Sequence, residues 1–210
     1  MATTRSANKS SASSATAATA TTYAHAPSSF SLFWLAVSLP LVIWDCGYVL
    51  MRPRTMAGGD LHWPLWVPYT LYGEVDHVYG WKAFNAGSGF TSAQGFLNVL
   101  ETLMYIYYAA VYYQNAVPVG GRKAVVGRKA AIAVLVAFSA AVMTLSKTIL
   151  YWLCEYYSGF DNIGHNSVRD LIFLWIIPNG AWLVGPTLMI YELGSELVNN
   201  LAGGAGVKRD

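Results

Sequence analysis

The chain has 210 residues, 55% of them apolar and only 11% charged, with a formal net charge of +2. A soluble domain carries about a quarter charged residues, so this composition belongs to a membrane protein. The few scattered basic residues argue against nucleic-acid binding, and two cysteines in or beside apolar runs, Cys46 and Cys154, argue against a disulfide scaffold or a thiolate metal site.

Residues 1–28 are Ser, Thr and Ala with little to bury, a composition that does not offset the entropy of ordering, so they read as a disordered tail. The first candidate span is Ser29–Leu50, SFSLFWLAVSLPLVIWDCGYVL, with Pro40 expected to kink it or force a local break in its hydrogen bonding and Asp45 one turn beyond, close enough to the end to reach water. The connection 51–92 is aromatic beyond the habit of loops. Its core, LHWPLWVPYTLYGEVDHVYGWKAF, holds Pro64 and Pro68 and places Glu74, Asp76 and His77 within one turn. An interfacial or re-entrant segment capping the bundle fits it better than a spanning helix. Asp76 and His77 either contribute to a site beneath that cap or pair with each other in a loop.

The second span, 93–113, carries one carboxylate, Glu101, in the run FLNVLETLMY. At about 1.5 Å per residue the run crosses the roughly 30 Å hydrocarbon core and sets Glu101 near mid-depth. A lone acid there is costly, and such acids face a bundle interior, where they pair with a polar neighbour or handle protons and ligands. A basic connection follows, with Arg122, Lys123, Arg128 and Lys129, and then the third span, 130–151, whose first half is small enough for close helix approach. Lys147 near its end either snorkels to the interface or points inward at a bundle carboxylate. The fourth span, 170–193, contains Pro178, Pro186 and Asn179. The Asn179 amide can satisfy a carbonyl freed by proline or face a ligand. Residues 199–210 read as a flexible tail. An even number of spans puts both termini on one side, and the basic middle connection favours the cytosol.

The order of motifs across 29–198 resembles the emopamil-binding (EXPERA) family, which includes a sterol Δ8-Δ7 isomerase. The residues that carry the likeness are Asp45 at the end of the first span, Asn98 and Glu101 in the second, CEYYSGFDNIGH, and IIPNGAWLVGPTLMIYE with Asn179, Trp182 and Pro186. The resemblance implies an all-α polytopic membrane bundle of about four transmembrane helices, with the aromatic segment over a membrane-open cavity, in the endoplasmic reticulum. It implies that Glu101 handles a proton, that Asp45 is a second catalytic acid, and that Asn179 and Trp182 contact the ligand. Asn98, Trp44, Tyr105, Asp76 and His77 complete the expected substrate-binding set. The chain departs from the isomerase in having Pro40 near the place of a first-span His and in lacking an additional helix before the first span. The aromatic connection looks like that of filamentous-fungal members in specialised metabolism.

These residues suit protonation of an alkene or epoxide, guidance of a carbocation, and proton removal. That chemistry needs an acid that keeps its proton, aromatic faces near the cation, and a carboxylate or amide to direct proton loss. The expected activity is a cofactor-independent, metal-free isomerase or cyclase acting on a terpenoid, meroterpenoid, sterol or related polycyclic apolar substrate. The alternative is a sterol- or lipid-binding protein without turnover. Expected partners are the lipid bilayer, the small-molecule substrate, a second copy in a homodimer, and enzymes of a biosynthetic pathway.

Overall fold

A computed structural model describes residues 22–204. Four long helices form the body: α1 (Ser29–Leu50), α4 (Phe90–Asn115), α5 (Gly127–Tyr157) and α7 (Ile177–Gly204). Between the first two of them lie the short α2 (Pro68–Val75) and α3 (Trp81–Asn85). Helix α1 packs on α4, α4 on α5 and α5 on α7. The ring closes where Trp34 of α1 meets Trp182 of α7 edge-on at 5.6 Å.

Three helical stretches are long and apolar enough to cross a bilayer: Ser29–Leu50, Gly127–Tyr157 and Val168–Gly203. Helix α4 has 26 residues, but Gln94, Asn98 and Glu101 dilute its hydropathy. The outer surface presents Phe33, Ile43, Phe96, Leu103 and Leu135, while Glu101, Asp76, Thr144 and Glu155 are buried. Apolar groups outside and polar groups inside are what a multi-pass membrane protein requires.

Close packing is set by small residues. Ala130, Ala133, Ala137, Ala140 and Ala141 line the buried face of α5, so its neighbours approach without side chains intervening. A Cβ on Gly185 of α7 would stand 2.4 Å from the Trp34 ring, so only glycine admits this contact between α1 and α7.

Several sequence expectations change. Pro40, expected to kink or locally break the first span, leaves it a single helix from Ser29 to Leu50, whose first turn is capped by the Ser28 hydroxyl accepting from the Ser31 N–H at 3.0 Å. The fourth span is longer than 170–193. It starts as α6 (Val168–Asp170), widens into a π-helical stretch (Leu171–Ile176) and continues as α7 to Gly204. Pro178, which has no N–H to donate, follows this wide turn directly. Helix α7 therefore occupies much of the stretch expected as a C-terminal tail, and residues 205–210 lie outside the described residues.

The basic middle connection is a β-hairpin, β2 (Val117–Val119) and β3 (Arg122–Val126), with Val119 opposite Arg122. Gly120 and Gly121, at φ 54° and 82°, supply the two left-handed residues of a tight hairpin turn. Strand β1 (Ala24–His25) pairs antiparallel with the other edge of β3. The described part of the expected disordered segment, 22–28, thus forms a strand and a helix cap, while residues 1–21 lie outside the described residues. The N-terminal strand, the basic hairpin and the end of α7 meet at one end of the bundle, and the aromatic cap closes the other.

Candidate functional site

The cap is fastened to α1 by its aromatic side chains. Trp44 donates its indole N–H to the Leu65 carbonyl at 2.8 Å, and Trp66 donates to the Trp44 carbonyl at 3.2 Å. Tyr69 stacks on Tyr48, with ring centroids 3.8 Å apart and planes 8° apart. The outer side of the cap stays apolar and exposed, with Trp63 79% and Leu65 62% accessible.

Under this roof lies a cavity of about 490 Å³, within the range of small-molecule sites. Its walls come from α1, the cap, α4, α5, the π-helical stretch and α7. Trp44, Asp45, Asn98, Asn179 and Trp182 all line it, so five of the sequence-expected residues converge on one space. Tyr69, Tyr72, Tyr79, Phe90 and Tyr151 add aromatic surface.

Asp45 is the carboxyl on this wall. Its Oδ1 accepts from the Tyr69 hydroxyl at 2.6 Å and its Oδ2 from the Asn98 amide at 3.3 Å. Asp45 is half-buried, beneath the cap and open to the cavity. Asn98 also accepts a hydrogen bond from Lys147, whose Nζ lies 3.0 Å from Glu101 Oε2. The Thr144 hydroxyl, 2.6 Å from Glu101 Oε2, donates to the same oxygen. A polar chain therefore runs Tyr69–Asp45–Asn98–Lys147–Glu101–Thr144 across α2, α1, α4 and α5.

This chain decides between the two sequence readings of Lys147. It points inward and pairs with Glu101, because a lone charge at this depth costs more than a pair. Glu101 is 4% exposed and does not line the large cavity. With Tyr105, it lines a separate space of about 20 Å³ between Trp34, Thr144 and Trp182. Glu101 and Tyr105 thus stand behind the large cavity, and Trp182 borders both spaces.

Asp76 and His77 also leave the expected site. Asp76 caps the end of α2 with extended backbone, at φ −126° and ψ 101°, and neighbouring side chains on extended backbone point to opposite sides. His77 turns outward and stacks on His165, centroids 4.0 Å apart and 2° from parallel. Asp76 turns inward and is fully buried. It accepts from the Val78 N–H at 3.0 Å, the Trp175 indole at 2.9 Å and the Tyr151 hydroxyl. Burial pushes its carboxyl up to about 7, with Glu155 adding to the rise and the Val78 and Trp175 donors opposing it. Neither residue lines the cavity.

Asn179 is bonded within the protein and lines the cavity as well. Its Nδ2 donates to the Trp175 carbonyl one turn upstream at 2.9 Å and to the Tyr72 hydroxyl at 3.2 Å, while the residue lines the cavity. No family model, curated protein or solved structure matches this chain. Geometry alone therefore ranks its residues.

Sequence reasoning passed over Tyr69, Tyr72, Tyr79 and Tyr151 as individual residues. For the cap tyrosines the only signal was density, since their use depends on how two short helices fold back. For Tyr151 a sharper signal existed. Thr144, Lys147, Thr148 and Tyr151 recur at helical spacing on α5, a polar stripe facing the bundle interior.

Proposed function

We propose that this protein is a cofactor-independent isomerase or cyclase that protonates and deprotonates a terpenoid, meroterpenoid, sterol or related polycyclic apolar substrate drawn from the bilayer. The observation that carries this reading is Asp45, a carboxyl on the wall of an apolar, aromatic cavity, held by Tyr69 and Asn98. Because Lys147 pairs with Glu101, the donor role falls to Asp45. Glu101 acts with Lys147 to hold Asn98, and through it the carboxyl, in register.

In the forward direction Asp45 gives its proton to an alkene carbon or epoxide oxygen. The faces of Trp44, Tyr69 and Trp182 then stabilise the positive centre. Proton loss from a neighbouring carbon ends the reaction with a shifted double bond or a new ring. We place the protein in the endoplasmic reticulum as a four-span, emopamil-binding-like bundle, with α4 as the additional span and the basic hairpin and termini in the cytosol. The same carboxyl among aromatic faces also suits retention of a cationic or hydroxylated lipid without turnover, which is the second reading.

The test is expression in microsomes and supply of a panel of sterols and prenylated polycycles, with mass-resolved product analysis and direct lipid binding measured together. Product from wild type, and its loss in Asp45→Asn with binding retained, is the expected result. Binding with no product from any substrate would transfer the assignment to a lipid-binding protein.

A further inference from the structure

Shifting a double bond adds a proton at one carbon and removes one from another, so a single carboxyl on one wall leaves half of the chemistry without a partner. Glu101 does not fill that place, being tied to Lys147 and turned to a separate small space. Among the described residues, one other buried acid stands directly behind a cavity-lining hydroxyl. Tyr151 of α5 lines the cavity, and its hydroxyl meets the fully buried Asp76.

We infer that Tyr151, backed by Asp76, is a second proton-handling contact of the cavity, on a different wall from Asp45, and that it takes or returns the proton Asp45 does not. The inference rests on the proposed proton chemistry at this cavity. Tyr151 is the group that touches substrate and Asp76 is the positioning residue behind it.

When Asp76 is protonated, its O–H donates to the Tyr151 oxygen, and the Tyr151 O–H is free to donate to a ligand. As Tyr151 gives that hydrogen to the ligand, it takes the Asp76 proton. The phenol stays neutral and the negative charge comes to rest on Asp76. There the Trp175 and Val78 N–H groups, already in place at 2.9 and 3.0 Å, hold it. In reverse, a carboxylate at Asp76 accepts from the Tyr151 hydroxyl, and the phenol oxygen accepts a proton from the ligand cation while passing its own to Asp76. Each step balances in atoms and electrons; a turnover that starts at Asp45 leaves that carboxyl ionised and the proton on Asp76, and exchange with water restores both before the next.

The surroundings suit a group that works in both protonation states. Besides Tyr151, the titratable groups around Asp76 are Glu155 of α5 and Tyr72 and Tyr79 of the cap, while His77 faces His165 on the other side. Burial and the nearby Glu155 keep the proton on Asp76 up to about pH 7, where the two states are equally populated.

Infrared difference spectroscopy on the purified full chain, titrated from pH 5 to 9, reads this pair without a substrate. The expected result is a protonated-carboxyl band that is lost with a midpoint near 7, is missing from Asp76→Asn, and moves in frequency in Tyr151→Phe, which keeps the ring packing. Absence of the band at low pH in wild type, or a band indifferent to Tyr151→Phe, would overturn the pairing. With any substrate that wild type converts, Tyr151→Phe and Asp76→Asn should each slow turnover by about 100-fold or more and remove the limb of the pH profile near 7. Unchanged turnover and profile in Tyr151→Phe would overturn the catalytic role. If wild type converts nothing in the panel, the enzyme reading fails with this role, while the infrared result still decides the Asp76–Tyr151 pair.

Discussion

The two ends of the bundle hold similar polar residues put to different use. At the strand end, His25 is 2% exposed and lies between Glu196, at 2.8 Å, and the Tyr108 hydroxyl, also at 2.8 Å. Tyr23 adds a further bond to Glu196, and Ser28 and Ser31 both donate to Glu192. Every one of these groups answers another group of the protein, and Tyr23 and Tyr108 pack in the same core cluster as the alanine face of α5. At the cap end, Asp45, Asn98, Asn179 and Tyr151 are bonded on one side and open on the other to about 490 Å³ of space. A buried polar cluster is thus no sign of a site by itself; a cluster that shares its surface with a cavity is.

Substitutions at the two ends test this difference. The largest effect is expected at the cap end, where Asp45→Asn should lower turnover by about 100 to 10,000-fold, measured by product formation, with little change in melting temperature. Equal loss of turnover and of folded protein would mean that Asp45 is structural. Next is Lys147→Met, which leaves Glu101 as an unpaired buried charge. It should cost about 3–5 kcal/mol in detergent unfolding, most of it recovered in the double variant with Glu101→Gln. At the strand end, His25→Ala should cost about 1–3 kcal/mol by stranding the buried Tyr108 hydroxyl, yet leave turnover per folded molecule unchanged. A drop in turnover there would erase the distinction between the ends. Gly185→Val, which drives a side chain into Trp34, should cost about 1–3 kcal/mol. Smallest is Ser28→Ala, about 1 kcal/mol from the lost α1 cap, read by thermal melting.

The pH dependence of stability probes Asp76 on its own. Its carboxyl is raised relative to an unfolded chain, so the folded state binds the extra proton, and the added stability is complete below about pH 4. That contribution declines as pH rises and is gone above about 7. Asp76→Asn should flatten the slope between those limits in a series of unfolding curves.

Much of the membrane architecture was readable in the chain, because apolar length and the cost of a buried charge are properties of local sequence. The bounds of α1 followed from composition alone, and Glu101 announced itself as an acid in an apolar run. What Glu101 would pair with was not readable. Lys147 had two physically sound fates, and the choice depends on α4 and α5 lying side by side. The hairpin had a local signal, VPV and RKAVV about two glycines, which the basic charges obscured. Asp76 and His77 were seen together as a pair, but the backbone at the end of α2 sends them apart. Tyr151 could be weighed only once Asp76 had been found behind it.

The wide turn at Leu171–Ile176 carries a consequence for how this chain tolerates length changes. The wide turn takes up one residue more than regular winding would, so removing one residue there would restore the regular helix and turn the residues within it by up to about 100° onto other faces. Trp175 would swing away from Asp76, and Phe173 and Leu174 would leave the cavity wall, with no side chain altered. A one-residue deletion in this turn should therefore be worse tolerated than conservative exchanges at its own positions, and related chains that keep the pocket should keep the residue count between Ser167 and Asn179 even where they change the letters.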